Sequence, residues 1–323
     1  MKHFLPSGLR NALALLFVFF CSASMAQQVS LGTGGSNGLY WKFGQELSAA
    51  CGAEVGFKAI PQDAGTEGNV NAALSNEIPW FIGQLDYLAR RGQEEDLTSL
   101  QALLPLFPEQ ALVLTRSDVV AKSGGWNIGG FNVGGSSKPL ASVTELAGRK
   151  VVTFGGAKAT TELLRLQGGV QFSEIVAATN WDAAYGQLMD PKSGVDALIL
   201  VQGKGTKGNL RGLPDQVAKT LRLLEIPSDV TSRFKIYSPD TATYPFMGSV
   251  KTMSVMSALF TKAYKKGPMV AKTAALKDCA LRTAEINADT PGSSPAWGMI
   301  KSKAAIPWQT WEAPEAPKAP AKK

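Results

Sequence analysis

Two segments of this chain place a glycine-rich turn between an apolar strand and a helix. The first has a strand at 29–31 and a turn at 32–38, and the second has a strand at 150–154 and a turn at 155–158. Around them, short apolar strands alternate with stretches of helical periodicity. Such alternation predicts an α/β fold with parallel strands.

The apolar pattern also locates the other elements. We expect strands at 55–60, 78–82, 111–115, 173–177 and 195–201, with helices at 39–50, 69–74, 143–146, 159–166 and 181–189. Residues 244–252 are expected to be extended, and residues 255–266 and 269–288 to be helical. The strand at 78–82 delivers Gln84 and Asp86 at its C-terminal end, and such strand ends line clefts in open α/β sheets.

The chain is longer than one small core usually covers, which predicts two lobes. Residues 27–115 form the first lobe in this interpretation, 116–245 the second, and 246–310 return to the first, with crossings near 113–118 and 244–253. The glycine-rich insertion at 122–139 is typical of a hairpin or surface loop, and a lid is the alternative. Residues 311–323 are expected to form a disordered tail.

The first 26 residues have the features of a secretory signal peptide. Lys2 and Arg10 precede the apolar run 12–20, and small residues occupy 22–26. We therefore expect cleavage before Gln27 and a periplasmic location. A lipoprotein would use Cys21, but bulky side chains precede it where small ones are required.

The single histidine, His3, lies inside this segment. Its removal excludes Ser-His-Asp and Cys-His catalysis and takes away the commonest zinc ligand. We therefore expect no enzyme, no metal and no cofactor, although a hydrolase using two carboxylates stays open. Cys51 and Cys279 form a disulfide in an oxidising compartment or remain two buried thiols.

The charge of the chain favours anionic partners. Lys and Arg number 33 against 26 Asp and Glu, and loss of the signal peptide leaves a net charge of about +5. Because the basic residues are mostly scattered, we do not expect nucleic-acid binding.

Both glycine-rich turns are suited to binding an anion. A helix N-terminus presents unpaired N–H groups, and glycine lets a ligand approach the backbone. Lys158 would add positive charge in the second turn. The glycine spacing matches neither the G-x-G-x-x-G motif of dinucleotide-binding proteins nor the phosphate loop of nucleotide-binding proteins. Two such turns on two lobes instead predict a clamp for a small anionic solute.

The order of six short motifs resembles that of the TAXI proteins, the extracytoplasmic solute receptors of the TRAP-associated type. These motifs occupy 32–41, 65–69, 82–86, 107–109, 146–151 and 194–197, followed by Gly203. The resemblance implies a type II periplasmic-binding-protein fold and a small carboxylate ligand such as glutamate or a dicarboxylate. It also implies delivery of that ligand to membrane transporter subunits.

Carried over position by position, the resemblance implies ligand contacts from both lobes. On the first lobe these are Thr33, Gly35, Ser36, Asn37, Tyr40, Thr66, Asn69 and Gln84. On the second lobe they are Thr160, Thr161 and Gln202, with Lys158 beside them. Each position has an alternative role as a helix cap or turn residue.

Several departures from the family pattern favour a second interpretation. The turn at 155–158 is short and lacks the family's serine, Pro79 replaces a common aspartate, and Gly205 replaces a common proline. The insertion at 122–139 is a further departure. The alternative is an interaction or sensory subunit on the same fold, with an altered or degenerate pocket.

Overall fold

A computed structural model describes residues 29–121, 126–128, 131–133, 138–204, 210 and 212–314. The predicted signal peptide, Gly205 and much of the glycine-rich insertion lie outside these residues. Within the described ranges, no helix combines the length and the apolar character needed to cross a membrane.

Strands and short helices alternate over much of the described chain. The strands are β1 Val29–Gly32, β2 Phe57–Ile60, β3 Trp80–Gln84, β4 Leu100–Arg116, β5 Trp126–Ile128, β6 Phe131–Val133, β7 Lys150–Phe154, β8 Glu174–Ala178, β9 Val195–Gly203, β10 Leu221–Leu224, β11 Tyr237–Tyr244 and β12 Gly248–Lys262. The α-helices are α1 Leu39–Val55, α2 Gly65–Leu74, α3 Leu85–Arg91, α4 Ala157–Leu166, α5 Trp181–Met189, α6 Asp215–Ala218, α7 Ser228–Thr231, α8 Pro268–Asn287 and α9 Ala296–Ser302. Two 3₁₀ turns cover Val143–Leu146 and Pro191–Ser193.

Two halves of one sheet repeat the same strand order. In the first half the order is β2-β1-β3-β12-β4, and in the second half it is β8-β7-β9-β4-β10. In each half the first three strands are parallel, the fourth runs antiparallel to the third, and the fifth runs antiparallel to the fourth. The predicted α/β class and the division into two halves around an intervening cleft are confirmed.

The long strand β4 belongs to both halves, and the long strand β12 extends beyond its pairing with β3 to pair with β11. β4 pairs with β9 from Glu109 to Thr115, so it reaches the second half before residue 116. β12 pairs with β11 up to Val255 and with β3 from Ser257 onward. The two halves therefore share the continuous strand β4 and are not joined by loops alone.

The helix predicted at 255–266 is wrong, because residues up to Lys262 continue β12. Ala, Met and Leu in this segment favour a helix locally. The segment is nevertheless extended because it fills the space between β3 and β4 and pairs with both. Tertiary pairing here outweighs local propensity.

The apolar core has three parts. One cluster lies in the first half and another in the second, while the third joins the halves and includes Leu85 and Leu88 of α3 with Leu163 and Leu164 of α4. Closure of the two halves therefore buries apolar side chains as well as polar ones.

Contacts distant in sequence hold the outer face of the first half. Cys51 of α1 and Cys279 of α8 form a disulfide with 5.9 Å between their Cα atoms. Trp311 is 2% exposed, and its backbone N–H donates to the carbonyl of Ala102. The tail predicted from residue 311 can begin only after this buried tryptophan.

The glycine-rich insertion contains a short hairpin. Trp126–Ile128 pairs antiparallel with Phe131–Val133. The hairpin predicted for this segment is thus present, whereas a lid role is untested.

Candidate functional site

A cleft of about 840 Å³ separates the two halves. One wall comes from the segments 63–71 and 87–95 of the first half, and the other from 155–162 and 177–179 of the second. Its volume falls within the range of small-molecule sites, about 300–1,000 Å³. It lies near the C-terminal ends of β7 and β8, where open α/β sheets bind ligands.

The second glycine-rich turn forms part of this cleft. Gly155 has φ +53°, a left-handed conformation that favours glycine, and α4 begins two residues later. The first N–H groups of α4 therefore lie at the cleft wall, as a site for an anionic group requires.

The cleft contains charges of both signs. Its basic residues are Arg90, Arg91 and Lys158, and its acidic residues are Asp63, Glu67, Glu94, Glu95 and Glu162. Arg90 pairs with Glu94, Arg91 with Glu95, and Glu162 with Arg165 outside the cleft. Among the residues that the structure describes, Lys158, Asp63 and Glu67 have no ion-pair partner within 4.0 Å, so a cation and two carboxylates are free for a solute.

A buried carboxylate joins the halves next to this cleft. Asp86 of α3 is fully buried, and its Oδ2 accepts hydrogen bonds from Thr160 Oγ1 at 2.5 Å and Tyr237 OH at 2.8 Å. Its Oδ1 accepts from the backbone N–H of Tyr87. Burial raises the pKa of Asp86, while the Thr160 and Tyr237 hydrogen bonds lower it.

A second buried carboxylate lies in β4. Glu109 is 8% exposed and accepts a hydrogen bond from Tyr40 OH at 2.5 Å. Burial raises the pKa of Glu109 to about 8, and the nearby Asp86 charge acts in the same direction. Within the described ranges, neither carboxylate has a basic partner within 4.0 Å. Such a pair of buried acids is typical of functional sites, although structural networks also contain them.

The space between Gln84 and the second turn is already filled. A Cβ added to Gly156 would lie 1.7 Å from Gln84 Oε1. The side chain from the first half thus contacts the backbone of the turn directly. This contact and the Asp86–Thr160 hydrogen bond connect the two halves directly beside the second turn.

Several predicted ligand contacts are bonded within the protein. Thr33 Oγ1 donates to the carbonyl of Ile60, and Asn69 Nδ2 donates to the carbonyls of Thr33 and Ile82. Thr161 Oγ1 donates to the carbonyl of Ala157 within α4. These three side chains are fully buried and link parts of one half.

The remaining predicted positions are spread over different surroundings. Ser36 and Asn37 are exposed, Gly35 lies beside Asp63, and Gln202 Nε2 donates to Tyr244 OH. Of the whole predicted set, Thr66 and Lys158 line the cleft. Thr66 Oγ1 also accepts the backbone N–H of Gln84 at 3.1 Å.

Other residues of the site were not among the predicted contacts. The sequence does contain a signal for Glu109, because this residue is the one acid in the apolar segment 102–114. Arg90 and Arg91 end a short helix that the sequence analysis does not predict. Tyr237 lies 151 residues from Asp86, so no local pattern pairs them.

The described residues include no group of three or more His, Cys, Asp or Glu side chains placed to hold a metal ion. The two buried carboxylates are instead satisfied by hydroxyl donors.

Neither a family model nor a curated protein matches this sequence. Three similar solved structures are each 13% identical to the chain with a TM-score of 0.46. The GluR0 ligand-binding core in complex with L-glutamate covers 81% of this chain and 96% of its own. An ancestral arginine-binding protein bound to arginine covers 85% and 96%, and a histidine kinase sensor domain with similarity to periplasmic binding proteins covers 80% and 92%. The two-half architecture described above rests on the strand order of this chain itself.

Proposed function

We propose that this chain is a periplasmic solute receptor that binds a small carboxylate-bearing solute between its two halves. The observation that carries the proposal is the cleft of about 840 Å³, which both halves line. A solute that contacts both walls stabilises the closed arrangement, because it binds that arrangement better than an open one.

The charges of the cleft specify the solute further. Lys158 and the first N–H groups of α4 bind the carboxylate. Asp63 and Glu67 on the opposite wall bind a positive group, since neither has an ion-pair partner within 4.0 Å among the described residues. A zwitterion such as an α-amino acid fits both walls, whereas a dicarboxylate meets like charge on the first half.

Affinity measurements on the purified protein test this proposal. Titration calorimetry with amino acids, dicarboxylates and keto acids is expected to give binding by at least one zwitterionic amino acid. Lys158→Ala should weaken that binding by roughly ten-fold or more, as loss of a charged hydrogen bond does. Lys192→Ala, an exposed lysine outside the cleft, is the matched control.

The location and delivery steps belong to the same proposal. The resemblance of the motifs to TAXI proteins and the signal-peptide pattern of residues 1–26 support export and transfer of the solute to a TRAP-type transporter. N-terminal sequencing of the secreted protein should begin near Gln27. A protein that keeps residues 1–26 contradicts the export step.

One observation favours the alternative, an interaction or sensory subunit with a degenerate pocket. Gln84 and Asp86 fill the inner position between the halves with the protein's own side chains. If no solute in the panel binds, the sensory or interaction role becomes the better proposal.

A further inference from the structure

The hydroxyl of Thr160 is a predicted carboxylate-binding group, and it already binds a carboxylate. Its partner is Asp86, which comes from the opposite half of the protein and is fully buried. Tyr237, at the start of β11, donates to the same oxygen of Asp86 and lies 3.1 Å from Thr160 Oγ1. Two hydroxyl donors thus converge on one acceptor, and the contact from Thr160 crosses between the two halves.

We propose that the carboxylate of Asp86 is an internal ligand that holds the two halves closed in the absence of any solute. It takes the place that a solute carboxylate would occupy between the halves and confines solutes to the outer cleft. This inference goes beyond the proposed function, because closure by Asp86 does not require that a solute binds.

The surroundings of Asp86 support this role. It follows Leu85 and precedes Leu88, whose side chains belong to the apolar cluster that also contains Leu163 and Leu164 of α4. The polar contact therefore lies within an apolar contact between α3 and α4. Separation of the halves would leave the hydroxyls of Thr160 and Tyr237 without this acceptor, so the polar and apolar contacts are broken together.

No cation competes for Asp86 in the described residues. The groups facing it are Thr160 from α4, Tyr237 from β11, and the Tyr40 and Glu109 pair. Thr160 and Tyr237 are neutral hydroxyl donors, which would accept a free carboxylate as well as that of Asp86. This interchangeability makes the proposal testable with a small anion.

The experiment removes the internal carboxylate and supplies an external one. In Asp86→Ala, amide hydrogen exchange in α3 and α4 should accelerate by roughly ten-fold or more, as expected for loss of a charged hydrogen bond. Small-angle scattering should show a larger radius of gyration. Sodium formate should reverse both changes, while sodium chloride at equal ionic strength should not. Wild type should respond to neither salt.

Asp278→Ala, at an exposed aspartate of α8, is the matched control and should behave as wild type. Unchanged exchange in Asp86→Ala, or a formate response equal to that of wild type, overturns the proposal. If Asp86→Ala does not fold, Thr160→Val and Tyr237→Phe test the same contact and keep the side-chain shapes. Amide hydrogen exchange as slow as in wild type in both variants would then overturn the proposal. Solute affinities are measured separately, so failure of the receptor function leaves this test intact.

Discussion

The side chain of Gln84 lies against the backbone of Gly156, across the boundary between the two halves. Gly156 has φ −60° and ψ −24°, a conformation that any residue adopts. Glycine is therefore favoured here by the close approach of Gln84 and not by backbone geometry. Gln84 extends from the last position of β3, where the sequence analysis predicts a contact with the cleft.

Gly156→Ala is expected to destabilise the closed protein. The added methyl group would lie 1.7 Å from Gln84 Oε1, so the side chain or the turn must move. Overpacking of this kind costs about 1–3 kcal/mol of unfolding free energy. Urea denaturation measures it, and Gln84→Ala in the same protein should remove most of the added cost. Gly186→Ala, with no atom within 4 Å of the new Cβ, is the control and should not destabilise.

The stability of the protein is expected to fall as pH rises from about 4.5 to about 8. Glu109 has a pKa of about 8 when folded against an ordinary value of 4.5, so between these values it is neutral when folded and ionised when unfolded. Unfolding then releases a proton, and higher pH favours it by up to ~1.4 kcal/mol per pH unit. The raised pKa of Asp86 acts in the same direction.

Urea denaturation at a series of pH values between 5 and 8.5 checks this dependence. Glu109→Gln should flatten the profile because the amide does not titrate, and it should stabilise the protein at the alkaline end. Equal slopes in wild type and Glu109→Gln would contradict the assignment to Glu109.

Asn69→Asp is expected to destabilise the protein strongly, by about 3 kcal/mol or more. The amide nitrogen of Asn69 donates to two backbone carbonyls, and aspartate would place an acceptor or a charge against both. Thermal unfolding measures the loss. Asn71→Asp, at an exposed position of the same helix that accepts a hydrogen bond from Arg91, should be neutral or stabilising. Similar melting temperatures for Asn69→Asp and wild type would contradict this structural role.

Reduction of the Cys51–Cys279 disulfide is expected to cost about 2–5 kcal/mol of stability. The bond joins residues 228 positions apart and connects α1 with α8. Urea denaturation with and without dithiothreitol gives the difference. The Cys51→Ala, Cys279→Ala double variant should be as unstable as the reduced wild type and insensitive to the reductant. A response of the double variant to dithiothreitol would assign the effect to something else.

The sequence predicts the parallel part of the sheet well. The segments at 150–154 and 195–201 are short apolar runs followed by turns, and both are strands of the structure. The long strands are harder to predict from the sequence. Pro105 and Pro108 interrupt the pattern of β4, so the sequence analysis predicts only its last residues, and β12 is extended because of its neighbours.

The sequence predicts only part of the site, because contacts between distant residues also decide which side chains face the cleft. Strand ends and helix starts can be read locally, which locates Gln84, Lys158 and Thr160 near the cleft. Whether a polar side chain faces a solute or another part of the protein depends on distant partners. The nearest acceptor of Thr160 is 74 residues away in sequence, and that of Tyr40 is 69 residues away.

The position of β12 also constrains the order of folding. This strand lies between β3 and β4 in the first half, yet it is made about 150 residues after them. During synthesis, residues 29–116 lack the strand that lies between β3 and β4 until residue 262 has been made. Pairings that are so distant in sequence form slowly. The sheet of the first half therefore cannot be completed until most of the chain has been synthesised.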